Sequence, residues 1–264
     1  VGIESKLQGF ERDAERGEKL REEIGKKLGL LNRDLMRDIS EMVRVMFRSD
    51  KEFERALKQR LDAAATSKKE FILTQSGQKF KVSDIDPKRV IAQRELTGFE
   101  EEKLKKIKET IGEVETAAKA AIGAVRRERV LLNEFSKDAR SIASDLRREL
   151  RDSDDKSKLE SQINDFESKA GRISSAESDL EGMQREALKV MQTAKSAQSV
   201  ISGVSSRTDL EEILVGAAGG FGITAAVAAL VGSMGAAGIL AMPALIAFAL
   251  SRIVKLVKDV AGDD

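Results

Sequence analysis

LKKIKETIGEVETAAKAAIGAV, residues 104–125, decides the fold class. Its apolar residues Leu104, Ile107, Ile111, Val114, Ala118, Ala121 and Val125 are separated by 3, 4, 3, 4, 3 and 4 positions. That spacing draws one narrow stripe along an α-helix and favours knobs-into-holes packing against neighbouring helices. The seam resumes at Leu132, Phe135, Ala139, Ile142 and Leu146. Leu159, Ile163, Phe166, Ala170 and Ile173 repeat it further on. Upstream, Ile3, Leu7, Phe10 and Ala14, then Leu20, Ile24, Leu28, Leu31, Leu35, Ile39, Met42 and Met46, trace a similar stripe with one slip.

Composition agrees with long helices. Of 264 residues, 34% are charged, only Pro87 and Pro243 are prolines, and the aromatics are all Phe. Such a chain favours helix over sheet. Lys+Arg (46) balances Asp+Glu (45), so the basic surplus of a nucleic-acid binder is missing. Clusters such as Arg126-Arg127-Glu128-Arg129 alternate in sign and read as solvated helix faces.

Sequence punctuation divides the helices. Ser49-Asp50-Lys51-Glu52 has capping-box form and predicts a bend in a first helix running to about Lys68. Asp86-Pro87 predicts the start of a second helix, extending to about Arg151. Ser157-Lys158-Leu159-Glu160 opens a third, to about Ser205. Thr208-Asp209-Leu210-Glu211 is a further capping box. Between the first two helices, residues 71–82 read as a small β-hairpin. The helices 3–68 and 87–151 are each roughly 100 Å long at helical rise. The expectation is an all-α, elongated, antiparallel coiled-coil bundle over residues 1–207, with the β-hairpin at its tip.

Residues 208–264 differ in kind. Residues 213–250 carry no charge, and Thr224 and Ser233 are their only hydroxyl side chains. The first arm, 213–231, reads ILVGAAGGFGITAAVAALV and covers roughly 28 Å as a helix, close to the hydrocarbon thickness of a bilayer. Its candidate membrane-inserting residues are Ile213, Leu214, Val215, Phe221, Ile223, Leu230 and Val231. A break is expected at Gly232-Ser233-Met234-Gly235. The second arm, 236–250, contributes Ile239, Leu240, Leu245, Ile246, Phe248 and Leu250, with Pro243 predicting a kink.

An uncharged loop lowers the cost of passing a hairpin through hydrocarbon, because each charge costs about 2.5–3.5 kcal/mol on insertion scales. Gly216, Gly220 and Gly222 are candidate helix-contact glycines, the first two in a GxxxG pair that favours oligomers in lipid. Arg252, Lys255 and Lys258 follow on an amphipathic stretch and are candidate interfacial basic residues. The same stretch also fits an ordinary amphipathic helix packed on the bundle, and the whole apolar run fits a buried helical hairpin.

The absence of His and Cys excludes Ser-His and Cys-His dyads, thiolate metal sites and disulfides. No GxxxxGK[ST] phosphate loop occurs, and Glu100-Glu101-Glu102 reads as a solvated face. The expectation is a non-enzyme with no catalytic residue, metal, cofactor or small-molecule substrate.

The long helices, the hairpin at Phe71–Val82 and the apolar hairpin at Ile213–Leu250 resemble the α-helical pore-forming proteins of the cytolysin A and Hbl/Nhe class. The uncharged hairpin near the C-terminus also resembles that of pore-forming colicins. In the tripartite toxins the apolar head lies between the long helices; here it follows them. The resemblance is one of architecture and assigns no site residues. It implies a bundle that inserts its apolar hairpin conditionally and oligomerises to form a pore or breach a membrane. The expected partners are a lipid bilayer and copies of the chain, or a related helical chain. The competing expectation is a constitutively membrane-anchored coiled-coil scaffold or tether. The chain is expected to be membrane-associated and soluble before insertion; no apolar core of a signal peptide is visible after Val1-Gly2-Ile3-Glu4.

Overall fold

A computed structural model describes residues 3–68, 71–73, 79–81, 95–152, 155–204, 229–234, 240 and 246–261. Helix α1 spans Ile3–Thr66, α2 Gly98–Asp152, α3 Lys156–Ser202 and α4 Ile246–Ala261; strands β1 (Phe71–Leu73) and β2 (Lys79–Lys81) lie between α1 and α2. Residues 229–234 are also helical. The described residues are overwhelmingly helical, as the heptad spacing requires.

Three boundaries depart from expectation, each for a local reason. Ser49-Asp50-Lys51-Glu52 does not start a new helix, because α1 runs through it unbroken for 64 residues. In mid-helix the preceding turn already supplies carbonyls for those N–H groups, so a capping sequence has nothing to cap. The long helix expected over 87–151 spans Gly98–Asp152; Asp86-Pro87 lies outside the described residues, residues 95–97 are non-helical, and Thr97 and Glu100 form a reciprocal capping box. Thr97 N–H donates to Glu100 Oε2 at 3.0 Å, and Glu100 N–H donates to Thr97 Oγ1 at 3.3 Å. The third helix opens at Lys156, where Asp155 Oδ1 accepts the Lys158 N–H at 3.3 Å, so Asp155 and not Ser157 is the cap. Helix α1 closes through Lys68, whose φ of 51° turns the chain into the left-handed region.

The strands pair antiparallel, Phe71 opposite Lys81, Ile72 opposite Phe80 and Leu73 opposite Lys79. The loop 74–78, the expected cap at Thr208–Glu211 and the expected kink at Pro243 lie outside the described residues.

The chain forms two compact units. One comprises Val1–Leu30, Val114–Gln192 and Gly232–Asp264; the other comprises Leu31–Glu113 and Thr193–Val231. In the first unit α1 and α2 run antiparallel, since Lys6 pairs with Asp138 at 2.7 Å, Phe10 packs edge-on against Phe135, and Arg21 meets Glu128. Helices α2 and α3 are likewise antiparallel, joined by Arg147–Glu167 and by Arg129 donating to Gln184 Oε1 at 3.0 Å. The core here is the expected seam: Val114, Ala118, Ala121, Val125, Leu132 and Phe135 are buried, as are Ile163, Phe166 and Ile173 of α3.

The second unit buries Leu31, Leu35, Met42 and Met46 of α1 with Leu104, Ile107 and Ile111 of α2 and Ala194, Ala197 and Ile201 of α3. Lys103 crosses from α2 to α1 there, with Nζ 2.7 Å from Glu41 Oε2 and 3.4 Å from Asp38 Oδ1. The Lys103 ammonium lowers the Glu41 carboxyl below its ordinary range, and Glu41 raises Lys103.

Candidate functional site: the seat of the C-terminal segment

The slip in the first stripe is where the site begins. Continuing the 3–4 spacing from Ala14 leads to Gly17, Arg21 and Ile24, not to Leu20. The structure follows that register: Leu20 is 40% exposed, whereas Arg21 is 0% exposed. On α2 the position skipped between Val125 and Leu132 is Glu128, which is 3% exposed. Here each seam carries a charged residue at a core position, and the two meet: Arg21 Nε donates to Glu128 Oε2 at 3.0 Å. Gly17 leaves room for this arrangement, because a Cβ there would stand 3.0 Å from Glu128 Cγ.

The same guanidinium holds the C-terminal segment. Arg21 Nη1 donates to the Leu240 carbonyl at 2.6 Å. One helical turn earlier on α1, Glu18 Oε1 accepts the backbone N–H groups of Ile246 at 2.9 Å and Ala247 at 3.3 Å. These are N-terminal amides of α4, left without intrahelical partners, so a carboxylate from a distant helix acts as their cap and meets the positive end of the α4 dipole. Lys258 lies 3.7 Å from Glu4, which makes α4 antiparallel to α1. Beneath these polar contacts Ile246, Leu250, Ile253 and Val254 are buried.

The electrostatics are unbalanced. Glu128 pairs with the Arg21 guanidinium, while the Glu18 charge acts on Glu128 from nearby. Burial pushes the Glu128 carboxyl up from its ordinary 4.5 to about 7; Arg21 opposes the rise and Glu18 adds to it. Glu128 Oε1 is buried with no hydrogen-bond partner among the described residues. An open cleft of about 320 Å³ beside it is walled by Asp13, Arg16, Leu20, Arg127, Val130 and Glu134, among others.

Of the candidate membrane-inserting residues, Ile213, Leu214, Val215, Phe221, Ile223, Ile239 and Leu245 lie outside the described residues, as do Gly216, Gly220 and Gly222. Leu230 is buried and Val231 half-buried in the second unit. Leu240, Ile246 and Leu250 are buried in the first unit, where Phe248 is 58% exposed. Arg252, Lys255 and Lys258 are exposed, and the Arg252 guanidinium stacks 4.7 Å from the Phe248 ring centroid. Of the expected break at Gly232-Ser233-Met234-Gly235, the first three residues are helical and Gly235 lies outside the described residues. Among the described residues no helix is long and apolar enough to cross a membrane. Arg21, Glu128 and Glu18 were absent from the candidates drawn from sequence. The signal was present in the heptad register, which places Arg21 and Glu128 at core positions where a charge needs a partner.

No protein-family model, curated protein or solved structure matches the chain.

Proposed function

We propose that the chain is a non-enzymatic, membrane-active helical protein: its apolar run 213–250 is stored against the bundle, then released to insert as a hairpin and oligomerise, forming a pore or breaching a membrane. One observation carries the reading. The C-terminal end of a 38-residue charge-free run is held on α1 by a few polar contacts, Glu18 to α4 and Arg21 to Leu240. Apolar packing of Ile246, Leu250, Ile253 and Val254 seats the same end, and the polar points that orient it are few. A segment fastened at a few polar points can be let go as a unit. The placement of the β-hairpin at one end of an elongated bundle belongs to the same proposal and rests on helix lengths.

Dye release from liposomes, with flotation of the same samples, tests this. Binding together with release supports a pore or breach. Binding without release moves the reading to the anchored scaffold or tether, which the long heptad seams of α1 and α2 favour. Neither binding nor release, across pH and lipid charge, leaves the run as a buried core element and ends the membrane reading.

A further inference from the structure

The outward face of α1 in the second unit does not alternate in sign. Arg33, Arg37, Arg44 and Arg48 follow one another at 4, 7 and 4 positions, and Lys51, Arg55 and Lys58 continue at 3, 4 and 3. At about 100° per residue these basic residues all fall within an arc of about 80°. The arc lies opposite the buried stripe of Leu31, Leu35, Met42 and Met46. None of the acids between Arg33 and Lys58 falls within it. Every basic residue of the stripe is exposed. Among the described residues only two of them form ion pairs: Arg37 with Asp34 and Asp38, at 3.1 and 3.9 Å, and Lys58 with Glu54 at 3.5 Å. Arg37 and Lys58 are themselves well exposed, so such pairs exchange easily for another anion. The exposed positions of α2 in the same unit mix the signs, as at Glu102, Lys105, Lys106, Glu109 and Glu113.

Two further features belong to this face. Met36 and Phe47 stand beside the stripe, 51% and 47% exposed. Ser40 takes the place between Arg37 and Arg44, and an open depression of about 410 Å³ is walled by these three residues and Glu41. The Glu41 charge is already met by Lys103 at 2.7 Å. Two guanidiniums and a hydroxyl at one recess suit a phosphate group.

We propose that this face of α1 is a docking surface for an anionic bilayer: the stripe from Arg33 to Lys58 lies along lipid phosphates, the recess at Ser40 takes one headgroup, and Met36 and Phe47 dip into the acyl boundary.

The stripe is roughly 38 Å long at helical rise, which matches an extended anionic surface and not a small ligand. Each Lys or Arg near such a surface adds to binding, and their long stems reach phosphate while apolar neighbours go deeper. Nucleic acid is the other extended polyanion. Against it, the arc holds no Asn or Gln to read base edges, and the whole chain carries a net charge of only +1. Exposed Met36 and Phe47 are suited to hydrocarbon and not to a phosphate backbone. Docking uses α1 and does not require insertion of residues 213–250. It rests on the membrane reading only in the choice of a bilayer as the surface.

The test is flotation of the full chain with phosphatidylcholine vesicles, with and without about 30% phosphatidylserine. The ratio of the two bindings reads docking apart from insertion, because burial in hydrocarbon is indifferent to headgroup charge. Arg44→Gln with Arg48→Gln and Lys51→Gln should lower the ratio about 100-fold, at about 5-fold per charge. The same loss of charge at exposed residues of α2, by Arg126→Gln with Lys137→Gln and Arg140→Gln, should leave it nearly unchanged. Met36→Ser with Phe47→Ser should weaken binding to the phosphatidylserine vesicles about 10-fold. All these positions are exposed, and circular dichroism checks that helicity is kept. A stripe variant that keeps the native ratio, or an α2 variant that loses as much, overturns the docking surface. Tighter binding of the native chain to duplex DNA than to these vesicles, lost in the stripe variant, overturns it in favour of nucleic acid. Docking that depends on the stripe, without dye release, would leave this surface standing and end the pore reading. Dye release with no preference for phosphatidylserine would do the reverse.

Discussion

Arg21 and Glu128 meet at 3.0 Å where two heptad seams would otherwise pair apolar side chains. Along each seam they are flanked by apolar residues that are buried, Ala14 (beyond Gly17) and Ile24 on one helix and Val125 and Leu132 on the other. The second unit has a related feature, with Asp38 of α1 at a core position and Lys103 of α2 reaching it. A charged pair set into an apolar seam is satisfied in one register only, and slipping α2 along α1 strands both charges.

That arrangement predicts different outcomes for single and double substitution. Glu128→Leu alone leaves Arg21 buried without its carboxylate and should cost about 3–5 kcal/mol. Arg21→Met with Glu128→Leu removes both charges, and global stability should stay level or rise by about 1–4 kcal/mol. Urea denaturation of the three proteins checks this. The double variant should also loosen the C-terminal segment, because the Leu240 carbonyl loses its donor. Faster amide exchange in α4, with unchanged exchange in α2, would record that loss apart from global stability.

Glu18 has a more local role. Its carboxylate accepts two amides at the start of α4. Glu18→Ala should therefore cost about 1 kcal/mol, the usual penalty for losing an N-cap. Hydrogen exchange at Ile246 and Ala247 should accelerate while α3 stays protected. An equal effect across all four helices would show that Glu18 supports the whole bundle instead.

Glu128 also predicts how stability depends on pH. Its carboxyl stands at about 7 in the folded chain against an ordinary 4.5. The folded state binds the extra proton in that window, so the group's contribution is fully present below 4.5 and lost as pH rises through about 7. The size is about 3 kcal/mol. Other carboxylates titrate too, so the measurement is the difference between the native chain and Glu128→Gln. The native chain should lose stability relative to Glu128→Gln as pH rises across the window, and a flat difference would contradict the assignment.

The seams were legible because burial follows a period. Every apolar residue of the stripe from Leu104 to Val125 is buried as its spacing requires. The seat was not legible, because it depends on residues that break the apolar pattern. Reading the stripe by hydrophobicity alone led to Leu20, one position short of Arg21. Only the register, carried through regardless of residue type, puts a charge in the core. The partner of Glu18 was out of reach for another reason. Its capping of Ile246 joins residues 228 positions apart, and no local signature announces such a contact.

The helix boundaries failed for a reason that can itself be tested. Ser49-Asp50-Lys51-Glu52 and Thr97-Gly98-Phe99-Glu100 have the same capping-box form, yet only the second begins a helix. Thr97 is the last of the non-helical residues 95–97, so the amides that follow it lack a preceding turn and the side chains are needed. The sequence Ser49 to Glu52 sits within α1, where carbonyls of the preceding turn are already in place. Thr97→Ala should therefore cost about 1 kcal/mol. Ser49→Ala should raise stability by about a few tenths of a kcal/mol, the propensity advantage of Ala over Ser in a helix interior. Thermal or urea unfolding of the two variants decides it. Equal losses would mean that α1 is interrupted at Ser49 after all, and that its upstream and downstream parts are capped as separate helices.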